Sequence, residues 1–172
     1  MKSKFIPLIL IIIFLITFVI FFKGLKNSNI YTSSANLEKK VPSFELKSFE
    51  NNSVIISEKI FKDDKYYFMN IWASWCIPCK EEHEFLMELK RNEKIKLIGF
   101  NYKDNFKNAS SFLKNLGNPY DVIVSDKDGT VSIEWGAYGV PESFLVYQNK
   151  IIKRFIGPIN NEDFLEIQKI IR

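Results

Sequence analysis

At 172 residues, 47% hydrophobic and 26% charged, the chain has room for an apolar N-terminal segment and one globular domain with a single core. The formal charge is +4, but Lys2, Lys4, Lys23 and Lys26 all flank the first apolar run, and without them 20 basic residues face 20 acidic ones. A neutral domain lacks the concentrated basic charge that nucleic-acid binding uses, so that class of function is excluded.

In chain order, the first feature is the uncharged run from Phe5 to Phe22, mostly Ile, Leu, Phe and Val. Crossing a bilayer core of about 30 Å takes about 20 apolar residues, and this run is close to that length. A cleaved secretory signal has an apolar stretch of roughly 7 to 15 residues and then a small-x-small site. Lys23-Gly24-Leu25-Lys26-Asn27 offers no such site. Residues 1–26 therefore read as an uncleaved signal anchor, with Pro7 near its start, where a helix tolerates proline. Lysines on the two flanks nearly balance, and the N-terminal amine tips the short tail inward. The domain then lies outside the cytoplasm, where disulfide chemistry is possible. Residues 27–40, rich in Ser, Asn and Lys, read as a tether, and 41–172 as the domain.

Within the domain, Phe44 to Lys47 and Val54 to Ser57 read as short strands around a turn at Asn51-Asn52. Tyr66 to Trp72 has the composition of a buried strand, Cys79 to Leu89 that of a helix, and Lys96 to Asn101 that of a strand, which makes a βαβ unit. Asn105 to Leu116 follows as a helix stopped by Gly117 and Pro119. Next come a strand at Asp121 to Val124, a turn at Asp126 to Gly129 and a short helix at Val131 to Trp135. Ser143 to Tyr147 and Ile151 to Ile156 read as a hairpin turned at Gln148-Asn149-Lys150, before a closing helix over Glu162 to Ile171. The expected fold class is α/β, a central mixed sheet flanked by helices.

The only two cysteines, Cys76 and Cys79, stand two residues apart after the strand at Tyr66 to Trp72. A structural disulfide acts mainly by closing a long loop, and this spacing closes almost none. A zinc site takes about four ligands, and His83 is the one histidine available, so metal binding is not expected. Thiol–disulfide exchange is the reading that fits, and the two thiols need no cofactor for it. Cys76 at the helix start is the expected exposed nucleophile, its thiolate favoured by unpaired N–H groups and the helix dipole. Cys79, one turn inward, is the expected resolving thiol. His83 lies four residues beyond Cys79 on the same helix face and reads as a lone exposed histidine.

Trp75-Cys-Ile-Pro-Cys79 at the end of a strand resembles the thioredoxin superfamily. Three segments taken together, Asn70 to His83, Gly136-Ala-Tyr-Gly-Val-Pro-Glu-Ser-Phe144 and Phe155-Ile-Gly-Pro158, resemble more narrowly the DsbE/CcmG thiol:disulfide interchange proteins of cytochrome c maturation. The resemblance covers Val41 to Arg172. It implies a thioredoxin-like fold on a single-pass anchor in the bacterial inner membrane, with the domain facing the periplasm. It implies reduction of the haem-binding cysteines of apocytochrome c, with re-reduction by a membrane thiol-reductant transporter of the DsbD/CcdA type. A general envelope reductase or oxidase with other clients is the alternative. The resemblance also makes Val140-Pro141 the cis-proline site and, with Trp75, the substrate-binding surface. Thioredoxins carry a buried carboxylate where this chain has Asn70, and an amide cannot take a proton. The resemblance passes that work to Glu142, expected first, and to Glu82, otherwise one more solvated helix charge. Glu84 stands where the family has a proline after the histidine, which puts the kink of that helix in doubt.

Overall fold

The computed structural model describes residues 5–26, 39–61 and 64–172. The chain divides into two units, Met1–Ser33 and Ser34–Arg172. The first holds α1 (Phe5–Lys26), whose stretch Ile6–Lys23 is long and apolar enough to cross a membrane and exposes its side chains all round. Such a helix has no polar face to turn to water and is a candidate membrane anchor.

Among the described residues, the second unit is a helix-flanked sheet of eight strands. In chain order these are β1 (Lys39–Lys40), β2 (Glu45–Ser48), β3 (Ile55–Ser57), β4 (Tyr66–Trp72), β5 (Ile95–Tyr102), β6 (Val122–Asp126), β7 (Glu142–Tyr147) and β8 (Lys150–Ile156). They lie side by side as β1-β8-β7-β4-β5-β6-β2-β3. β4, β5 and β6 run parallel, and the other pairings are antiparallel. Between them stand α2 (Ile77–Glu81), α3 (His83–Leu89), α4 (Phe106–Leu116) and α5 (Thr130–Glu134), and α6 (Asn161–Ile170) closes the chain.

β4 is central and covered on both faces, which is why it reads as one apolar run rather than an alternation. Its two faces feed two cores. Phe68 and Trp72 join Leu97 and Leu145 under Leu86, Leu89, Leu113, Phe164 and Ile167 of α3, α4 and α6. Tyr67, Met69 and Ile71 join Phe100 and Phe144 on the other face, against Val131, Trp135, Phe44 and Phe61. Each such side chain taken out of water stabilises the fold by roughly 1.5 to 3 kcal/mol.

Local signals set the ends of the elements. Asn105 caps α4, accepting from the N–H groups of Lys107 and Asn108, and Asn160 and Asp163 form a reciprocal capping box on α6. β7 and β8 are joined by Gln148 and Asn149, both at positive φ, the conformation a tight two-residue hairpin needs. Lys150 is already the first residue of β8. Most boundaries fall within about two residues of the sequence expectation, as is usual for element ends.

Three expectations change. Of the expected tether, 27–38 lies outside the described residues, while Lys39–Lys40 is β1 and pairs with Ile151 and Lys150, so the sheet begins before residue 41. The single helix expected over Cys79 to Leu89 starts earlier, at Ile77, and is two helices with a turn at Glu82. The break is present with Glu84 in place of proline. Glu82 keeps helical dihedrals there, and its side chain is drawn into the interior.

Candidate active site

β4 ends at Trp72, and the turn Ala73-Ser74-Trp75 delivers Cys76 to the start of α2, where its N–H donates to the Ala73 carbonyl at 3.2 Å. Cys76 is the N-cap of α2 in extended conformation, and its Sγ accepts from the Cys79 N–H at 3.1 Å. Pro78 sits in the first turn, where a missing N–H costs nothing. Cys76 and Cys79 form a disulfide, with their Cα atoms 5.3 Å apart. The sequence led us to expect an exposed Cys76. In the disulfide form it is 5% exposed, and its neighbours Trp75 and Ile77 are the exposed ones, at 56% and 75%.

The turn is tied to the end of β5. Asp104 Oδ1 accepts from Ser74 Oγ at 2.8 Å and Oδ2 from Asn101 Nδ2 at 3.1 Å, while Trp75 Nε1 donates to the Lys103 carbonyl at 3.2 Å. Lys103 is held at φ 45°, an unusual conformation for a lysine. Trp72, by contrast, is a core residue, stacked on Tyr120 at 5.5 Å between ring centroids. A Cβ at position 99 would lie 2.8 Å from Trp72 Nε1 and 2.9 Å from the Tyr120 ring, so a glycine there is what permits the stack.

Asn70 projects from the same face of β4 as Phe68 and Trp72 and is wholly buried. A buried amide must find partners for both ends. Its Nδ2 donates to Glu82 Oε1 at 2.8 Å and to Ser143 Oγ at 2.9 Å, and its Oδ1 accepts from the Tyr120 hydroxyl at 2.6 Å. Glu82 Oε2 accepts from the Ile159 N–H at 2.9 Å. Glu82 is thus no solvated helix charge: it has no exposed surface, and burial pushes its pKa up to about 7, against the pull of the Ile159 and Asn70 hydrogen bonds. Burial, and then the nearby charge of Glu82, raise the Tyr120 hydroxyl.

Glu142, expected first of the two carboxylates, sits in different surroundings. It is buried too, but it forms an ion pair with Arg154 and accepts from the Tyr138 N–H at 2.9 Å. Arg154 Nη2 also donates to the Gly136 carbonyl at 2.7 Å. The Val140-Pro141 bond is cis, and Val140 packs against the core cluster that contains Cys76 and Cys79.

His83 is not exposed. It is 4% accessible, with Nε2 3.0 Å from the Gly117 carbonyl and its ring edge-on to Phe112, and burial lowers its pKa. It ties α3 to the C-terminal end of α4. Sequence reasoning missed Tyr120, Ser143, Asp104 and Arg154. A usable signal existed only for the first two: an asparagine inside an apolar strand demands buried partners, without saying which.

The Redoxin family model matches residues 36–171. A thiol:disulfide interchange protein DsbE of Yersinia pestis is 36% identical over 163 residues, covering 93% of this chain and 86% of its own. The DsbE protein of Escherichia coli is 40% identical over 128 residues, 74% of this chain and 69% of its own. Among solved structures, the thioredoxin domain of a thiol-disulfide oxidoreductase from Bacteroides vulgatus superposes with a TM-score of 0.67 at 17% identity, over 79% of this chain and 98% of that one, a likeness of fold.

Proposed function

This chain belongs to the Redoxin family and, within it, to the DsbE-type thiol:disulfide interchange proteins, and from that premise we propose that it reduces the disulfide of apocytochrome c haem-binding cysteines. The observation that carries the reading is a Cys76–Cys79 disulfide at a helix start with a buried carboxylate, Glu82, three residues beyond Cys79, whose pKa burial raises.

The chemistry starts from the reduced dithiol. The Cys76 thiolate attacks one sulfur of the client disulfide, breaking that bond and forming a mixed disulfide while the client's other sulfur leaves and takes a proton. Cys79 then loses its proton and attacks the Cys76 sulfur. The client's second thiolate leaves, and Cys76–Cys79 is the disulfide that remains. Two electrons have passed to the client, and holding both thiols on one turn makes the second step effectively unimolecular.

Glu82 is our candidate for the acceptor of the Cys79 proton. A base works best with a pKa near the working pH, and burial has moved this carboxyl to about 7. Asn70, Tyr120 and the Ile159 N–H fix its orientation. The uncharged Ile77 and Pro78 between the thiols add nothing that would specially favour the dithiol, in keeping with a reductant. A client backbone running alongside Val140 and Pro141 would meet the thiols in extended form, which suits an unfolded polypeptide. We place α1 in the cytoplasmic membrane with the domain on its outer side, where a membrane dithiol transporter of the DsbD/CcdA type restores the reduced form.

Replacing Cys79 with Ala in the full-length protein stops the reaction at the mixed disulfide. Mass spectrometry of material trapped on Cys76 in the native host is expected to find apocytochromes linked through Cys-X-X-Cys-His segments. A broad set of envelope proteins without cytochromes would instead make it a general thiol–disulfide enzyme.

A further inference from the structure

β4 and β5 run parallel, so the sheet has a dithiol end, where β4 gives way to the turn that carries Cys76, and an opposite end where both strands begin. The two ends lie about 20 Å apart along β4. Lysines gather at the opposite end. Lys65 and Lys94 stand immediately before β4 and β5, Lys150 opens β8, and Lys39–Lys40 is β1, with Lys40 directly across the ladder from Lys150. Like charges so placed repel, and all five side chains are exposed, so burial offers no compensation. At the dithiol end carboxylates are set among the lysines: Asp104 stands just beyond β5, Asp126 closes β6 and Glu142 opens β7. The chain beyond Lys26 is neutral as a whole, so the gathering of lysines is a matter of placement rather than composition.

Lys40 also lines a cavity of about 560 Å³, together with Lys59, Phe61, Gln148 and Asn149. The carboxylates there are engaged by other donors. Glu58 accepts the Phe44 N–H at 3.1 Å, a bond that, with the charges of Lys59 and Lys40 behind it, lowers its pKa, and Asp64 accepts from the Gln148 amide at 3.4 Å. Lysine on an edge strand guards a sheet against pairing with other sheets, which accounts for β1. It does not account for Lys59, Lys65 and Lys94, which lie off that strand. Ammonium groups on long flexible stems suit a surface of many phosphates better than one rigidly held anion.

The connectivity names the occupant. Only residues 27–38 separate this end, at Lys39, from α1, so a weak attraction to the bilayer that holds α1 acts at high effective concentration. The dithiol end has an affinity of its own for a lipid interface, because Trp75 and Ile77 are 56% and 75% exposed beside Cys76. We propose that the lysine-bearing end of the domain docks on anionic phospholipid headgroups of the membrane that holds α1, and that this keeps Trp75, Ile77 and the dithiol turned to the water and to soluble clients. The proposal rests on the reading of α1 as a membrane anchor.

The test is acetylation of lysines, followed residue by residue by mass spectrometry, on the oxidised full-length protein in nanodiscs of phosphatidylcholine alone or with about one quarter phosphatidylglycerol. Lys39, Lys40, Lys59 and Lys65 are expected to react about fivefold more slowly in the anionic discs at low salt, and the protection is expected to vanish near about 1 M salt. Lys80 and Lys107, at the dithiol end, are expected to change by less than about twofold. Lys40→Gln, Lys59→Gln and Lys65→Gln together are expected to abolish the protection of Lys39. Protection at Lys80 and Lys107 instead, or the same protection from inorganic phosphate in phosphatidylcholine discs, would overturn the proposal. A chain that enters both kinds of disc and reacts equally in them defeats the docking alone; one that enters neither defeats the anchor reading and the docking with it.

Discussion

Glu82 and Glu142 are both shielded from water, at 0% and 1% exposure, yet their surroundings hold them in different ways. Among the described residues Glu82 meets only neutral donors, an asparagine amide and a backbone N–H, with no cation paired to it, and burial raises its pKa to about 7. Glu142 faces the Arg154 guanidinium and a backbone N–H. Burial raises the pKa of the first; an ion pair and a backbone hydrogen bond tie down the second. Two carboxylates that look alike in the sequence are separated by one arginine.

The largest effect that could break this contrast is loss of that arginine. Arg154→Ala leaves Glu142 buried and uncompensated, at a cost of about 3 to 5 kcal/mol, and adding Glu142→Gln in the same chain should recover most of it. Urea unfolding of both variants measures this, and a cost below about 1 kcal/mol would show that Glu142 does not depend on its partner.

A second test concerns pH. Because the folded protein holds a proton on Glu82 that the unfolded chain has released, stability falls as pH rises from the ordinary glutamate range near 4.5 to about 7. The loss attributable to Glu82 is about 2 to 3 kcal/mol. His83, with its pKa lowered by burial, works in the opposite sense, its contribution being lost as pH falls below the usual histidine range. The difference between wild type and Glu82→Gln across this window therefore isolates the carboxyl. A difference that does not change with pH would mean that Glu82 stays ionised.

Smaller effects sharpen the picture. Tyr120→Phe removes the donor to Asn70 Oδ1 and is expected to cost about 1 to 2 kcal/mol, with a shift in the pH profile of client reduction that Tyr66→Phe, outside the network, does not produce. Trp75→Ala, on an exposed ring, is expected to change stability by less than about 0.5 kcal/mol while weakening reaction with peptide disulfides. A large stability loss there would make Trp75 a packing residue, held through its bond to Lys103.

Much of the fold was legible because its signals are local. The run Tyr66 to Trp72 is β4 to the residue, and Asn105 and Gly117 bracket α4 as their capping preferences imply. The two cysteines likewise announced their chemistry by spacing alone. The break at Glu82 was not legible, because it coincides with a side chain turned inward to meet Asn70, 12 residues back, and Ile159, 77 residues on. The different surroundings of the two glutamates were hidden for the same reason: nothing near position 142 in the chain reveals that β8 will set Arg154 against it.

Sequence by itself determined the apolar N-terminal helix, most of the strands and helices of the domain and the place of the two cysteines, since each follows from periodicity, capping or spacing within a few residues. Tertiary structure alone decided which carboxylate meets neutral donors and which meets a cation. A carboxyl's proton affinity depends on the dielectric and the charges within a few ångströms, and those neighbours, Tyr120, Ser143, Arg154 and Ile159, arrive from distant parts of the chain only when the sheet closes.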